Sequence, residues 1–190
     1  MKIIEPINNI KVYGLEESIK RSKYPMSTDI TELNNEITQT VKKLATSKKG
    51  EGHDNFLNGI IVQFDLTFSI KAWVEAERYH FLDFISSQST MHKISKMDIR
   101  NQCNEYVTED NIKLLEELKD DYINNPTTEN YLKLLYNIPT GFTLTAGMTT
   151  NYRQLKTIYS QRKNHRLPEW RLFCEQLKQL PMSEFITGEQ

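Results

Sequence analysis

The sequence predicts one compact domain that combines β-strands with amphipathic helices, and three observations support this prediction. The chain has 190 residues, a length typical of one domain with a substantial core. Residues 59–69 alternate between apolar and polar side chains, as expected for a strand with one buried face. Residues 152–162 instead carry apolar side chains at helical spacing. Strands and helices are therefore expected to share one core.

The first half of the chain is predicted to alternate between strands and helices. Residues 2–13 are rich in isoleucine and are interpreted as strand around a turn at Asn8-Asn9. Pro25 ends the helix predicted over 15–23, because proline cannot continue a helix. The remaining elements are a helix over 15–23, a helix from a cap at Thr28 or Asp29 to about Thr46, a loop over 47–52, the strand over 59–69 and a helix over 69–82.

The second half is predicted to be mainly helical. Residues 83–97 are polar and irregular, so they are interpreted as loop or short strand. The further elements are a short strand or turn over 100–108, helices over 110–125 and from a cap at Thr127 or Thr128, a loop or distorted strand over 138–149, a helix capped by Thr150 or Asn151 that runs to Arg162, and a helix over 168–180. The domain is predicted to span residues 1–180, with 181–190 as a frayed tail.

Composition excludes several functional classes. The net charge of -1 argues against a general nucleic-acid or anionic-membrane binder. No apolar run approaches the ~20 residues that a membrane-spanning helix requires, and no signal-peptide core follows Met1. Cys103 and Cys174 do not have the spacing of metal ligands, so no zinc site is expected. A cytoplasmic protein without membrane or nucleic-acid partners is therefore expected.

Arg162 is the most informative single residue. It falls within the apolar stripe formed by Tyr152, Leu155, Ile158 and Tyr159. A guanidinium is rarely buried without a carboxylate or phosphate partner. Residue type alone favours an intramolecular salt bridge, whereas a waiting anion-binding arginine is the alternative.

Two stretches of the sequence carry a resemblance to a known family. The run from Ile138 to Gly141, the run Thr149-Thr150-Asn151-Tyr152-Arg153-Gln154-Leu155 and then Arg162 resemble the C-terminal core of flavin-dependent thymidylate synthases. That core has a Leu-Pro start, then Asn-x-Arg-x-Leu, then an arginine that meets the nucleotide substrate. Gly52-His53-Asp54-Asn55, followed by a strand, a helix and Arg78-Tyr79-His80, resembles the family's Gly-His-Glu loop and its Arg-His-Arg signature.

The signature differs from the family pattern at several positions. Tyr79 replaces its histidine and His80 its second arginine. The other replacements are Ile85 and Ser86 for an Asn-Glu pair, Thr90 and Met91 for an Arg-Tyr pair, and Leu135 for a helix-borne arginine. The resemblance is therefore closest around Asn151 to Arg162.

The resemblance implies a fold, a reaction and a set of site residues. The implied fold is α+β, with a mixed or antiparallel sheet flanked by helices, in a homotetramer whose active sites lie between subunits. The implied reaction is reductive methylation of dUMP at C5 with FAD, NADPH and methylenetetrahydrofolate. The implied cofactor-binding residues are His53, Asn55, Arg78, Tyr79, His80 and Asn151. The resemblance implies Arg162 as the catalytic, nucleotide-binding residue and not half of a buried salt bridge. Ser86, Gln88, Ser89 and Lys93 are predicted to bind the nucleotide because their side chains suit a phosphate, and not because they match a motif.

Two alternatives remain open at this point. The first alternative to thymidylate synthesis is a divergent enzyme of the same fold acting on another nucleotide, and the second is a non-catalytic homologue that binds a nucleotide or a protein partner. Single residues also have structural interpretations: His53 as an exposed loop residue, His80 as a hydrogen-bonded structural residue, and Arg78 as the partner of a carboxylate such as Glu77. Glu77 itself is expected on the apolar face of its helix, where it would require an arginine partner.

Overall fold

A four-stranded antiparallel sheet organises the fold of the computed structural model, which describes residues 5–48 and 50–188. Its strands are β1 (Ile7–Tyr13), β2 (Ile61–Ser69), β3 (Asp83–Ser87) and β4 (Thr143–Asn151), in the order β1-β2-β4-β3. Helices surround the sheet, which makes the chain a single α+β domain. The predicted fold class is confirmed, and of the two sheet types expected the sheet is antiparallel.

The two central strands hold the sheet together. Strand β2 alternates as predicted, with Val62, Phe64, Leu66 and Phe68 buried. It pairs with β4 along its whole length, from Ile61 opposite Asn151 to Ser69 opposite Thr143. Of the loop or distorted strand expected over 138–149, residues 138–142 form the loop and 143–149 form a strand, but the expected distortion is wrong because the register of β4 with β2 is continuous. Its threonine, alanine and glycine residues give little hydrophobic contrast, but two neighbouring strands supply its hydrogen bonds.

Strand β1 is continuous and has no turn at Asn8-Asn9. Asn9 has a positive φ of 51°, and the pairing with β2 shifts register between Asn8 and Lys11. This geometry is a β-bulge, in which one extra residue bends the strand without ending it. The Asn9 side chain donates a hydrogen bond of 2.5 Å to Asp65 on β2, which stabilises the bulge. The predicted turn is therefore wrong.

The described residues contain ten helices. They are α1 (Leu15–Arg21), α2 (Gln39–Ala45), α3 (Ile70–Ala76), α4 (Thr90–Lys93), α5 (Ile99–Gln102), α6 (Glu109–Asn124), α7 (Thr128–Tyr136), α8 (Tyr152–Arg162), α9 (Pro168–Leu177) and α10 (Glu184–Thr187). Seven of the ten were predicted; α4, α5 and α10 lie in the segments predicted as loop or short strand, as short strand or turn, and as tail. The predictions are confirmed for α1, α6, α7, α8 and α9 to within a few residues. Short 3-10 turns occur at Tyr24–Met26, Asn55–Gly59 and Ile94–Lys96. No helix in this part of the chain is long and apolar enough to cross a membrane.

The second predicted helix is much shorter than expected. It begins only after Thr38, whose hydroxyl accepts a hydrogen bond from the Val41 N–H. The carboxylate of Asp29, one of the expected caps, instead accepts from both the N–H and the hydroxyl of Thr31. Such a local ring competes with helix formation, because it gives the backbone a non-helical partner. A helix from residue 28 or 29 is therefore wrong.

Helix α3 ends at Ala76 and not near Leu82. The N–H of Tyr79 donates to Ala76 O, and the N–H of Leu82 donates to Tyr79 O, so two tight turns lead the chain into β3. Glu77, which was expected on the apolar face of this helix, is exposed, and so is Val74 at 57%, whereas Trp73 is buried.

The C-terminal segment belongs to the core. Helix α10 packs against α8, and Phe185 and Ile186 are buried. Phe185 also contacts Phe56 edge to face, with ring centroids 5.9 Å apart. The expectation of a frayed tail over 181–190 is wrong as far as Gly188, because these two apolar side chains complete the packing around α8; Glu189 and Gln190 lie outside the described residues.

Candidate functional site

The junction between β4 and α8 is the centre of the site. Asn151 is the last residue of β4 and also the N-cap of α8, since its side-chain oxygen accepts a 2.9 Å hydrogen bond from the Gln154 N–H. The other expected cap, Thr150, donates its hydroxyl hydrogen to Phe81 O at 2.6 Å. The strand therefore passes into the helix without a loop, which fixes the first turn of α8 against the chain after α3.

Helix α8 has one buried and one open face. Tyr152, Leu155, Ile158 and Tyr159 are buried, as predicted. The polar face borders a cleft of about 370 Å³. The residues lining this cleft, called the α8 cleft below, are Asp54, Asn58, Phe81, Asn151, Arg153, Gln154, Lys156, Thr157 and Ser160. They come from three segments of the chain: the residues after the Gly52-His53 loop, the turn after α3, and α8 itself.

Two cations of α8 hold a buried carboxylate at the cleft. Asp54 is only 3% exposed. Its Oδ2 accepts a 2.8 Å hydrogen bond from Lys156 Nζ, and its Oδ1 lies 3.2 Å from Arg153 Nε. Two positive charges against one negative charge leave the lining positive, which favours an anionic ligand.

Arg162 belongs to a partly buried cluster at the other end of α8. Its Nε donates to the hydroxyl of Tyr79 at 2.7 Å, and its Nη1 forms a short ion pair with Glu75 Oε2. The guanidinium also lies over the rings of Tyr79 and Trp170, at 5.4 Å and 5.0 Å from their centroids. The Arg162 side chain is 12% exposed. That of Glu75 is 19% exposed. The prediction that Arg162 is not half of a buried salt bridge is therefore wrong, because Glu75 on α3 supplies the carboxylate.

His165 completes this cluster. Its Nδ1 accepts a 3.2 Å hydrogen bond from the Leu167 N–H. Its Nε2 lies 2.8 Å from Arg162 Nη1 and 3.0 Å from Glu75 Oε2. The cluster connects α3, α8 and the turn before α9.

The three signature residues lie in different environments. Tyr79 is buried, and its hydroxyl donates to Gln161 Oε1 at 2.9 Å while accepting from Arg162. Burial raises the pKa of Tyr79, and the Arg162 hydrogen bond opposes this shift. Arg78 and His80 are exposed. The His80 ring contacts that of Phe81, which lines the α8 cleft, at a centroid distance of 5.2 Å. His80 is therefore next to a residue that lines the α8 cleft, Arg78 is not among the lining residues, and the polar atom of Tyr79 is used inside the cluster.

His53 and Asn55 flank the buried Asp54, and both are exposed. Of the six expected cofactor residues only Asn151 lines the α8 cleft, while His53 and Asn55 are the chain neighbours of Asp54, which also lines it. Their role in binding a cofactor stays a prediction.

The expected nucleotide residues lie elsewhere. Ser86 pairs with Gly147 in β3, Gln88 exchanges two 2.9 Å hydrogen bonds with the backbone of Thr145, and Lys93 is exposed on α4. Ser89 precedes α4 but makes no capping hydrogen bond. None of the four lines the α8 cleft. Gln88 lines a separate groove of about 510 Å³ between α3 and β3, with Trp73, Val74, Glu77, Phe84 and Ser87 among the other lining residues.

Sequence reasoning missed four residues that shape these sites. Asp54 and Arg153 lie within the runs Gly52–Asn55 and Thr149–Leu155 that carry the resemblance, but no role was predicted for them. No role was predicted for Lys156 or Glu75 either. Glu77 was expected to need an arginine, but the carboxylate that pairs with one is Glu75, two residues earlier. Because α3 ends at Ala76, a helical projection continued to residue 82 assigned the wrong acid to the buried side. No group of three or more metal-ligating side chains is arranged to hold a metal ion in the described residues.

Comparison with known structures identifies this fold. Neither a protein-family model nor a curated protein matches the sequence. Solved structures do match: two of the flavin-dependent thymidylate synthase ThyX from Helicobacter pylori with FAD and dUMP have TM-scores of 0.70 and 0.74, at 15% identity over 96% of this chain and 98% of theirs. The UMP/dUMP methylase PolB from Streptomyces cacaoi, bound with 5-Br dUMP, has a TM-score of 0.62 at 12% identity, over 92% of this chain and 87% of that one. The chain therefore has the fold of flavin-dependent thymidylate synthases.

Proposed function

We propose that this chain, with its thymidylate synthase-like fold, binds FAD and a pyrimidine nucleotide and modifies the pyrimidine base. The carrying observation is that three segments meet at the α8 cleft. Residues 53–55 contain Asp54, residues 78–80 lead directly into Phe81, and α8 begins after Asn151, and all three named residues line the cleft. The resemblance assigns these same segments to the flavin, although they are far apart in sequence.

The cleft suits part of a flavin nucleotide. Its volume of about 370 Å³ lies in the lower part of the range of small-molecule sites, roughly 300–1,000 Å³. It would therefore hold one half of a dinucleotide, with Arg153 facing a phosphate and Thr157 and Ser160 offering hydroxyl groups. The exposed Arg78 and His80 would contact the remaining part. A second copy of the chain completing the site, in a homotetramer located in the cytoplasm, is part of the same proposal.

The favoured reaction is reductive methylation of dUMP at C5. When bound, the flavin supplies hydride chemistry, while methylenetetrahydrofolate provides the carbon and NADPH the reducing equivalents. The contribution of the protein would be to orient the nucleotide against the cofactor and to exclude water. Ser86, Gln88, Ser89 and Lys93 at the β3–α4 edge would contact the nucleotide.

One observation favours a second candidate, a nucleotide-binding protein without this chemistry. Arg162, the residue proposed to contact the pyrimidine, already has Glu75, Tyr79 and His165 as partners. A substrate would have to compete with a carboxylate in a poorly hydrated site, where an ion pair is hard to separate. A catalytic role for Arg162 therefore requires that Glu75 release it.

Two measurements on the purified protein test these proposals. Flavin absorbance at about one FAD per chain, with tritium release from dUMP labelled at C5 when methylenetetrahydrofolate and NADPH are added, is the expected result. Flavin without tritium release would favour a divergent enzyme. A melting temperature raised by nucleotides in a colourless protein would favour the second candidate, because a ligand at 100 times its Kd adds about 2.7 kcal/mol of stability. Neither flavin binding nor nucleotide stabilisation would refute both.

A further inference from the structure

Asp54 is an unexpected residue to find at a site for an anion. It lines the α8 cleft, it is 3% exposed, and its charge would repel a phosphate. Its Oδ2 accepts a hydrogen bond from Lys156, but its buried Oδ1 has no hydrogen-bond donor among the described residues. Arg153 Nε lies 3.2 Å from Oδ1 and forms an ion pair with it. The position of this carboxylate therefore needs an explanation other than direct ligand binding.

Lys156 is fully occupied by the protein. Its Nζ donates to Ala45 O at 2.7 Å, to Ser47 O at 2.7 Å and to Asp54 Oδ2 at 2.8 Å. An ammonium group has three N–H donors, so these bonds use all of them. Lys156 thereby connects α8 to the end of α2 at Ala45 and to Ser47. It balances the charge of Asp54 but has no hydrogen left for a ligand.

Arg153 has the opposite character. Its Nε faces Asp54, and none of the described residues forms a hydrogen bond with either terminal nitrogen. The side chain is 36% exposed and lines the cleft. A guanidinium is a planar fork that binds a phosphate through two parallel N–H groups. One edge of this fork is held by the protein, and the other edge is free.

We propose, on the premise of the proposed function, that Asp54 is a positioning residue which holds Arg153 by its Nε edge and thereby presents the two terminal nitrogens to a phosphate group of the ligand. Lys156 fixes Asp54, Asp54 fixes Arg153, and Arg153 is the group that contacts the ligand. A flexible arginine loses side-chain entropy when it binds, and an arginine that is already held loses less. This gain in orientation outweighs the repulsion between the carboxylate and the phosphate.

Orientation and net charge predict opposite effects of Asp54→Asn on affinity. The substitution keeps the size of the side chain and removes a negative charge beside the cleft, so charge alone would tighten the binding of an anion. Loss of the Nε contact instead leaves Arg153 unconstrained. We expect FAD binding to weaken about tenfold, because an Arg153 side chain that is no longer held must be ordered when the ligand binds. In an Arg153→Ala background, Asp54→Asn should cause no further loss, because Asp54 acts through Arg153.

The experiment combines FAD titration with NMR of 15N-arginine-labelled protein. The Arg153 Nε–H signal, identified by its absence in Arg153→Lys, should shift and exchange faster in Asp54→Asn. Arg153→Lys keeps the charge at a partly exposed site but has no fork, so it should also weaken FAD binding about tenfold. Asp120→Asn, at an exposed position of α6, is the matched control for the loss of one negative charge and should change neither measurement. Thermal melts establish that each variant is folded.

The outcomes separate the two levels of inference. Wild-type protein that binds neither FAD nor dUMP refutes the proposed function, while the NMR signal still reports whether Asp54 holds Arg153. An Nε–H signal that is the same in Asp54→Asn and wild type refutes the positioning role. Unchanged or tighter FAD binding by Asp54→Asn also refutes it. If Asp54→Asn does not fold, an Arg153→Lys protein that binds FAD with wild-type affinity refutes the positioning role instead.

Discussion

The ion pair between Arg162 and Glu75 leads to a prediction about stability. Arg162→Ala leaves the Glu75 carboxylate, whose side chain is 19% exposed, without its guanidinium partner. Removing one member of a fully buried pair costs about 3–5 kcal/mol. This pair is only partly buried and His165 Nε2 remains 3.0 Å from Glu75, so we expect no more than about 3 kcal/mol. For a chain of this size, that loss corresponds to a fall in Tm of roughly 6–12 °C.

The assay is thermal and urea unfolding of matched variants. Arg166→Ala removes an exposed arginine four residues later and should change stability by no more than about 0.5 kcal/mol. The double variant Arg162→Leu with Glu75→Leu should be more stable than either single leucine variant, because it leaves no unpaired buried charge. The reasoning would be refuted by an Arg162→Ala protein that melts like wild type but is no longer stabilised by dUMP. Arg162 would then be an anion-binding residue that Glu75 does not need.

Three further predictions concern the tail, a thiol and the assembly. Phe185→Ala should destabilise the protein by about 3–5 kcal/mol, measured by urea unfolding, since Phe185 is fully buried beside α8; an effect below about 1 kcal/mol would mean that α10 contributes little. Burial raises the pKa of the Cys174 thiol to about 12, so a thiol reagent at pH 8 should label it only in denaturant. The folded state favours the neutral thiol, so the stability that Cys174 contributes is complete below the pKa of the unfolded thiol and falls as the pH rises towards 12. In a Cys174→Ala variant, this part of the fall in the free energy of unfolding at high pH should be absent. Light scattering should give a homo-oligomer, and a mass of 22.3 kDa at micromolar concentration would contradict this.

Several elements could be predicted because their signals are local. The alternation in β2 and the apolar stripe of α8 depend only on neighbouring residues, and both are confirmed. Strand β4 was underestimated, because threonine, alanine and glycine give no clear period and the state of the strand depends on β2 and β3. The cap of α8 stayed ambiguous between two suitable residues until Thr150 was found to bond Phe81 O.

The sequence by itself determined that a helix runs from a cap at Thr150 or Asn151 to Arg162, which of its faces is buried, and that Arg162 lies among apolar side chains. It also carried enough of the family pattern to indicate the fold at an identity of only 15%. Only the tertiary structure decided the partners of the charged groups. Lys156 meets Asp54 from 102 residues away, and Arg162 meets Glu75 from 87 residues away. Periodicity reports which side of a helix is buried, but the partner of a buried charge depends on which segments the fold brings within hydrogen-bonding distance.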